Sequence, residues 1–215
     1  MVWTVVVAAG SGRRFVAAKQ HAPLAGRTVL GWSVATAAGA GAGVVVVVPP
    51  GEEDGPRPAG ADAVVAGGAT RSESVRRGLA AVPGDATVVL VHDAARPAAS
   101  PELFAAVVDA VAAGAEVAVP AVAVTDSLRH RDGGALDRDR IVAVQTPQGF
   151  RAEVLRRAHA TGGEASDDAG LAEAVGARVQ IVEGESTNCK ITHPEDLAVV
   201  AGHLADRAAA SSEVG

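Results

Sequence analysis

The 215-residue sequence contains no tyrosine, three phenylalanines, two tryptophans and a single cysteine, and each scarcity narrows what the chain can be. With so few aromatics, a core has to be built from small aliphatic side chains packed closely, supplied here mostly by alanine and valine. The lone Cys189 excludes an internal disulfide framework and suits a reducing, cytoplasmic setting. No Cys-x-x-Cys, His-Glu-x-x-His or Gly-x-Ser-x-Gly pattern occurs, and the six histidines have no ligand spacing, so zinc and serine-hydrolase chemistry are unsupported. The N-terminal apolar run, Val2 to Val7, is too short to span a bilayer, carries no basic leader and runs directly into glycines, so it reads as a strand; no membrane role is expected. A formal net charge of -6 argues against nucleic acid as a partner.

Lysine is also scarce: it stands only at Lys19 and Lys190, and asparagine only at Asn188. In a chain that otherwise uses arginine for positive charge, a retained lysine points to a place that requires a compact ammonium, which arginine's planar fork does not replace. Both lysines are therefore expected to touch a ligand, the plain alternative being chance survival at the surface.

What is abundant is organised around one stretch. The strand Val2 to Val7 runs out into Ala8, Ala9, Gly10, Ser11 and Gly12, followed by Arg13, Arg14 and, five positions on, Lys19. Glycines let backbone N–H groups approach an anion without a Cβ in the way, and the cations offer charge-assisted hydrogen bonds to phosphate oxygens. The dinucleotide fingerprint fails at Phe15, where a third glycine is needed, and the Walker pattern fails at Ala18-Lys19-Gln20. A basic loop for a small anionic ligand remains, against the simpler alternative of a glycine-rich turn with solvated arginines.

The rest of the chain alternates strands and helices. Thr28 is expected to cap a helix with a stripe at Leu30, Val34 and Ala38, and Val44 to Val48 reads as a strand buried on both faces. A strand at 62–66, a helix at 71–81, a strand at 87–91, a helix at 101–113 capped by Ser100, and a strand at 115–119 follow. Residues 121–143 change rhythm and read as a charged β-hairpin arm with a turn from His130 to Gly134, before a strand closed by Thr146-Pro147-Gln148. Helices from Arg151 to about Ala160 and from Asp167-Asp168, a strand at 179–182 and a helix from Pro194 to about Ala209 complete the pattern. The two aspartates fit a first helical turn, where carboxylates offset the helix dipole. This predicts an α/β fold: one doubly wound, mostly parallel sheet in a single domain over 1–210, with a protruding arm and a short tail at 211–215. An isolated two-stranded ribbon is marginal in water, so the arm is expected to pack on a second copy in a twofold dimer.

In such a sheet the carboxyl ends of the strands share one edge, which gathers the Gly10 to Lys19 loop, Gly67-Gly68-x-x-Arg71, Asp93-Ala94-Ala95-Arg96 and Asn188-x-Lys190 into one cationic cleft with one carboxylate. These segments resemble a known family. AAGSGRR followed by KQ, GGATRSESV, VHDAARP, TDSL, DR before TPQGF, and NCKITHPEDL look like the 2-C-methyl-D-erythritol 4-phosphate cytidylyltransferases, over nearly the whole chain.

The resemblance implies a Rossmann-like nucleotidyltransferase fold and a role for each residue. Ala8, Ala9 and Gly10, with Ser11, Gly12, Gly67, Gly68, Arg71 and Ser74, would enclose the nucleotide. Arg14 and Lys19 would hold the triphosphate and stabilise the transition state. Asp93 would bind hydroxyls of the acceptor, with Arg96 beside it, while Arg138 and Lys190 would position its phosphate, with Ser127 and Thr146 near. CTP and a polyol phosphate are the implied partners, and Mg²⁺ the implied cofactor, held mainly on phosphate oxygens. Arms would be exchanged in the homodimer. The chain departs from the family pattern in lacking two residues before Lys19, in Ala18 and Ala69, and in Ser127 for threonine; the first departure bears on the reach of Lys19. A cytidylyltransferase for another polyol phosphate, such as ribitol 5-phosphate, and a non-catalytic nucleotide-binding relative are the alternatives.

Overall fold

The computed structural model describes residues 1–10 and 19–213, with side chains to residue 210. In chain order the elements are β1 (Val2–Val7), β2 (Pro23–Leu24), β3 (Arg27–Thr28), α1 (Val29–Gly39), β4 (Gly43–Val48), β5 (Ala63–Ala66), α2 (Arg71–Ala80), β6 (Val88–Asp93) and α3 (Pro101–Ala112). They continue with β7 (Val117–Ala123), β8 (Val142–Val144), β9 (Gln148–Arg151), α4 (Ala152–Ala160), α5 (Asp168–Ala174), β10 (Val179–Glu183) and α6 (Asp196–Glu213). The main sheet has the order β10-β7-β9-β6-β1-β4-β5, with β8 added to β7. Pairing is parallel from β6 through β1 and β4 to β5 and again between β7 and β10; β9 is antiparallel to β6 and β7, and β8 to β7. The predicted mostly parallel α/β sheet is what the chain forms.

Small aliphatic residues make this possible. All six residues of β4 are buried, as a strand covered on both faces requires. One apolar cluster fills the face under α2, α4 and α5, and another the face under α1 and α3. Gly78 in α2 shows how close the layers lie, since a Cβ there would stand 2.5 Å from Val5 Cγ1 and 2.7 Å from Val47 Cγ2. Thr28 and Ser100 cap α1 and α3, accepting from the amides of Gly31 and Leu103, with Pro101 in the first turn of α3. Among the described residues no helix is long and apolar enough to cross a membrane.

Three details differ from the sequence reading. The buried face of α1 is Val29, Leu30, Ser33, Val34 and Ala37, leaving Ala38 half-buried, because Ser33 turns inward to donate to the Ala94 carbonyl at 2.9 Å. Residues Gln148 to Arg151 are not the end of a strand but a strand of their own, β9, wedged between β6 and β7. Its Gly149 reads locally as loop, yet a Cβ there would stand 2.5 Å from Val107 Cγ1, so glycine serves packing under α3. The arm is a hairpin chiefly at its base, where β8 pairs with residues 121–123 of β7. Toward its tip there is one bridge, Arg129 to Ala135, around a turn in which Gly133 and Gly134 have φ of 111° and 83°.

Candidate active site

The carboxyl ends of β1, β5 and β6 open onto a cleft of about 400 Å³. Its floor is backbone. Beyond the strand ends the ladders continue, from the amide of Ala8 to the Val47 carbonyl (2.7 Å), from that of Gly67 to Val48 (2.7 Å) and from that of Ala94 to Val7 (3.0 Å). This brings Ala8 to Gly10 alongside Gly67 and Gly68. Gly67 is needed for that approach, since a Cβ on it would lie 2.3 Å from the Ala9 Cβ. Ser74 braces the second loop, accepting from the Gly68 amide at 3.1 Å and donating to the Thr70 carbonyl at 2.8 Å. Small residues and backbone edges can hold a flat base and a sugar, while the charged lining groups, Lys19, Arg71, Asp93 and Lys190, are linked by hydrogen bonds into one charged wall.

That wall carries both lysines. Lys19 lines the cleft and donates from Nζ to the Ile191 carbonyl at 3.1 Å, so the shortened loop before it does not keep it from the site. Lys190 donates to Asp93 Oδ2 at 2.5 Å. Asp93 Oδ1 accepts longer bonds from Arg71, 3.4 Å from Nε and 3.3 Å from Nη2. Burial works to raise the Asp93 carboxyl, but the charges of Arg71 and Lys190 outweigh it and hold the group well below the usual carboxylate range. Arg71, expected on the nucleotide side, thus lines the cleft with its guanidinium engaged by carboxylates, and its pKa is raised by Asp168 and Asp93 against the opposing effect of burial.

Behind these groups a clamp holds the Lys190 segment to the end of β6. The Ile191 amide donates to the Ala95 carbonyl at 2.8 Å, Arg96 Nη1 to the Asn188 carbonyl at 2.7 Å, and Asn188 Nδ2 to the Thr146 carbonyl at 3.0 Å. Thr146 accepts from the Asp93 amide at 3.0 Å. Arg96 and Thr146, expected among the substrate-binding residues, are not among the residues lining this cleft and bond to the segments that carry Lys190 and Asp93. Asn188, the chain's one asparagine and part of the Asn188-x-Lys190 segment expected at the cleft, is fully buried in the same clamp. Ser127 and Arg138 are exposed on the arm, where Arg138 donates to the Thr125 carbonyl, and neither lines the cleft of its own chain. Ser11, Gly12 and Arg14 lie outside the described residues.

His92 sits beneath Asp93, fully buried, with Nδ1 3.2 Å from Thr146 Oγ1 and its ring tilted against Phe104. Burial pushes its pKa down to about 4, against the nearby charge of Asp93 and helped by that of Arg96. The folded protein therefore refuses a proton that the unfolded chain accepts near pH 6.5, and stability present above that pH is lost as pH falls toward 4. Urea unfolding should show the wild type losing roughly 3 kcal/mol more than His92→Gln between pH 7 and pH 4. Equal losses in the two proteins would show that His92 does not set the acid limit.

Among the described residues, the cleft at the carboxyl edge of this mostly parallel sheet has a backbone floor of small residues and a wall that carries two lysines, the place where an open α/β sheet keeps its ligand. The family described as IspD, 2-C-methyl-D-erythritol 4-phosphate cytidylyltransferase, matches residues 2–205. The chain belongs to that family. It is 45% identical over 206 residues to the 2-C-methyl-D-erythritol 4-phosphate cytidylyltransferase of Thermus thermophilus, covering 91% of this chain and 93% of the relative. The crystal structure of the enzyme from that organism superposes with a TM-score of 0.80 at 42% identity, covering 94% and 98%. The bifunctional enzyme IspD/IspF of Nitratidesulfovibrio vulgaris is 43% identical over 224 residues, 92% of this chain and 57% of its own, so the chain spans little more than half of such relatives.

Proposed function

We propose that the chain transfers CMP from CTP to 2-C-methyl-D-erythritol 4-phosphate, giving 4-diphosphocytidyl-2-C-methyl-D-erythritol and pyrophosphate. The observation that carries the reading is the pairing of Lys190 with Asp93 at the end of β6, in the same cleft that Lys19 and the backbone of Ala8 to Gly10 and Gly68 line. A cation and a hydroxyl-accepting carboxylate side by side suit a polyol phosphate, and the backbone floor suits cytidine.

A phosphate monoester with a second pKa of about 6 is mostly dianionic at neutral pH, so the nucleophile needs positioning more than deprotonation. It attacks the α-phosphorus in line and expels pyrophosphate, with no covalent intermediate. The obstacle is the approach of two anions, and Lys19, Lys190, Arg14 and Arg138 are the groups assigned to offset it. Mg²⁺ fits this arrangement as a cation held by the triphosphate, because Asp93, the acidic group among the described lining residues, is already engaged by two cations. When bound it supplies charge neutralisation between phosphate groups.

Ser127 and Arg138 reach substrate in this reading by crossing to a partner's cleft in a homodimer. Support comes from their exposure away from their own cleft and from the apolar β8 edge, where Val142 and Val144 remain 46% and 44% exposed. Mixing Lys19→Ala and Arg138→Ala subunits should recover up to about half the activity per heterodimer, since both lesions gather in one site. Heterodimers that stay inactive would mean that the arm serves its own subunit.

The function itself is tested by pyrophosphate release from CTP with a panel of polyol phosphates. Release with 2-C-methyl-D-erythritol 4-phosphate is expected. Release only with ribitol 5-phosphate or another acceptor, or CTP binding without release, would overturn the assignment.

A further inference from the structure

Asp168 opens α5, where a first-turn carboxylate would ordinarily face solvent and offset the helix dipole. Its side chain is instead completely buried, and Asp167 does the capping by accepting from the Gly170 amide. Asp168 Oδ2 accepts from Arg71 Nη1 at 2.7 Å, and its Oδ1 lies 3.0 Å from His159 Nε2. The guanidinium is therefore shared unequally. Its short bond goes to Asp168 and its long ones, 3.3 and 3.4 Å, converge on one oxygen of Asp93.

An unrestrained arginine beside a carboxylate closes to a fork of two parallel bonds of about 2.7–2.9 Å, which occupies both oxygens. Here Asp93 Oδ1 takes both Arg71 bonds, while Oδ2, which among the described residues accepts from Lys190, keeps acceptor capacity because Arg71 is drawn back toward Asp168 and does not close the fork onto it. We propose that Asp168 is a positioning residue for the acceptor half of the site: it anchors Arg71 from behind, so that Asp93 stays ionised and oriented while its Oδ2 remains available to a polyol hydroxyl. The proposal rests on the functional reading above. Two cations and two carboxylates balance in this network, so removing the rear carboxylate should let Arg71 close on Asp93 and compete with the acceptor for it.

The test is steady-state kinetics of Asp168→Asn and Arg71→Lys, with Leu155→Val as a control that lowers stability from the same core face without touching the network. Asparagine is isosteric and leaves the Asp167 cap in place; lysine lacks the planar fork by which one guanidinium is divided between Asp168 and Asp93. Both variants are expected to raise KM for 2-C-methyl-D-erythritol 4-phosphate about tenfold, with KM for CTP unchanged within about twofold. Leu155→Val should change neither KM even where its Tm falls as far. An Asp168→Asn enzyme with lowered Tm and unchanged acceptor KM, or with both KM values raised alike, overturns the proposal. If Asp168→Asn does not fold, Arg71→Lys decides alone by the same criterion. A wild type that releases no pyrophosphate with this acceptor refutes the functional reading and the proposal with it, whereas an active wild type with unsplit variants refutes the proposal only.

Discussion

Lys19→Ala is expected to lower kcat by about two to three orders of magnitude while changing KM for CTP by less than about fivefold. Lys19 stands on the cleft wall with Nζ 3.1 Å from the carbonyl of Ile191, the residue that follows Lys190. This places a compact cation beside the Lys190 segment in the cleft, where the proposed reaction would bring two phosphates together. A charge met mainly in the transition state lowers the barrier without holding the ground state much tighter, so its loss falls on kcat. Rapid-quench measurement of one turnover at saturating CTP separates the chemical step from product release. Near wild-type single-turnover rates in the alanine variant would remove Lys19 from the chemistry.

Lys190→Arg should reduce kcat/KM for the acceptor by about a hundredfold, although charge is conserved. The ammonium meets Asp93 Oδ2 at 2.5 Å from a segment clamped by Arg96, Asn188 and the Ala95 carbonyl, so its backbone cannot retreat to make room. A guanidinium is longer and planar, and beside a carboxylate it prefers the two-bond fork that would take up Asp93 altogether. Lys190→Ala should fail differently, by leaving Asp93 with Arg71 as its remaining cationic partner among the described residues and by removing the cation proposed to meet the acceptor phosphate. The comparison of the two variants, with acceptor and CTP varied in turn, checks the argument. An arginine variant with full activity would show that the rarity of lysine in this chain carries no functional information.

Much of the site was legible because its signals are local. A β-branched run ending in small residues and glycines announces a strand leading to a backbone-lined loop, and Gly67-Gly68 between a strand and a helix announces another. Lysine retained in an arginine-using chain marked Lys19 and Lys190, and both line the cleft. Side-chain partners were not legible in the same way. Arg71, Arg96 and Thr146 belong to recognisable motifs, yet which groups they touch depends on elements far along the chain: Asp168, Asn188 and the amide of Asp93.

Asp168 shows why. Within its own segment it is an acidic residue in a first helical turn, and helix-dipole chemistry accounts for it fully. Its burial follows from α5 packing beside α4 and α2 on one face of the sheet, which sets it against Arg71, 97 positions earlier. Strand β9 is similar. The Gly149-Phe150 pair has no strand periodicity, and it becomes a strand because the open lanes of β6 and β7 on either side accept its backbone hydrogen bonds.

The sequence by itself determined the alternation of strands and helices, the doubly buried valine strand, two of the helix caps and the edge of the sheet where chemistry collects. Each of these rests on periodicity, backbone sterics or capping between residues a few positions apart. Tertiary structure decided the insertion of β9 between β6 and β7, the clamp around Asn188, and the division of Arg71 between two carboxylates. Those features depend on strand order and layer packing, which bring together side chains that share no turn, face or repeat in the linear chain.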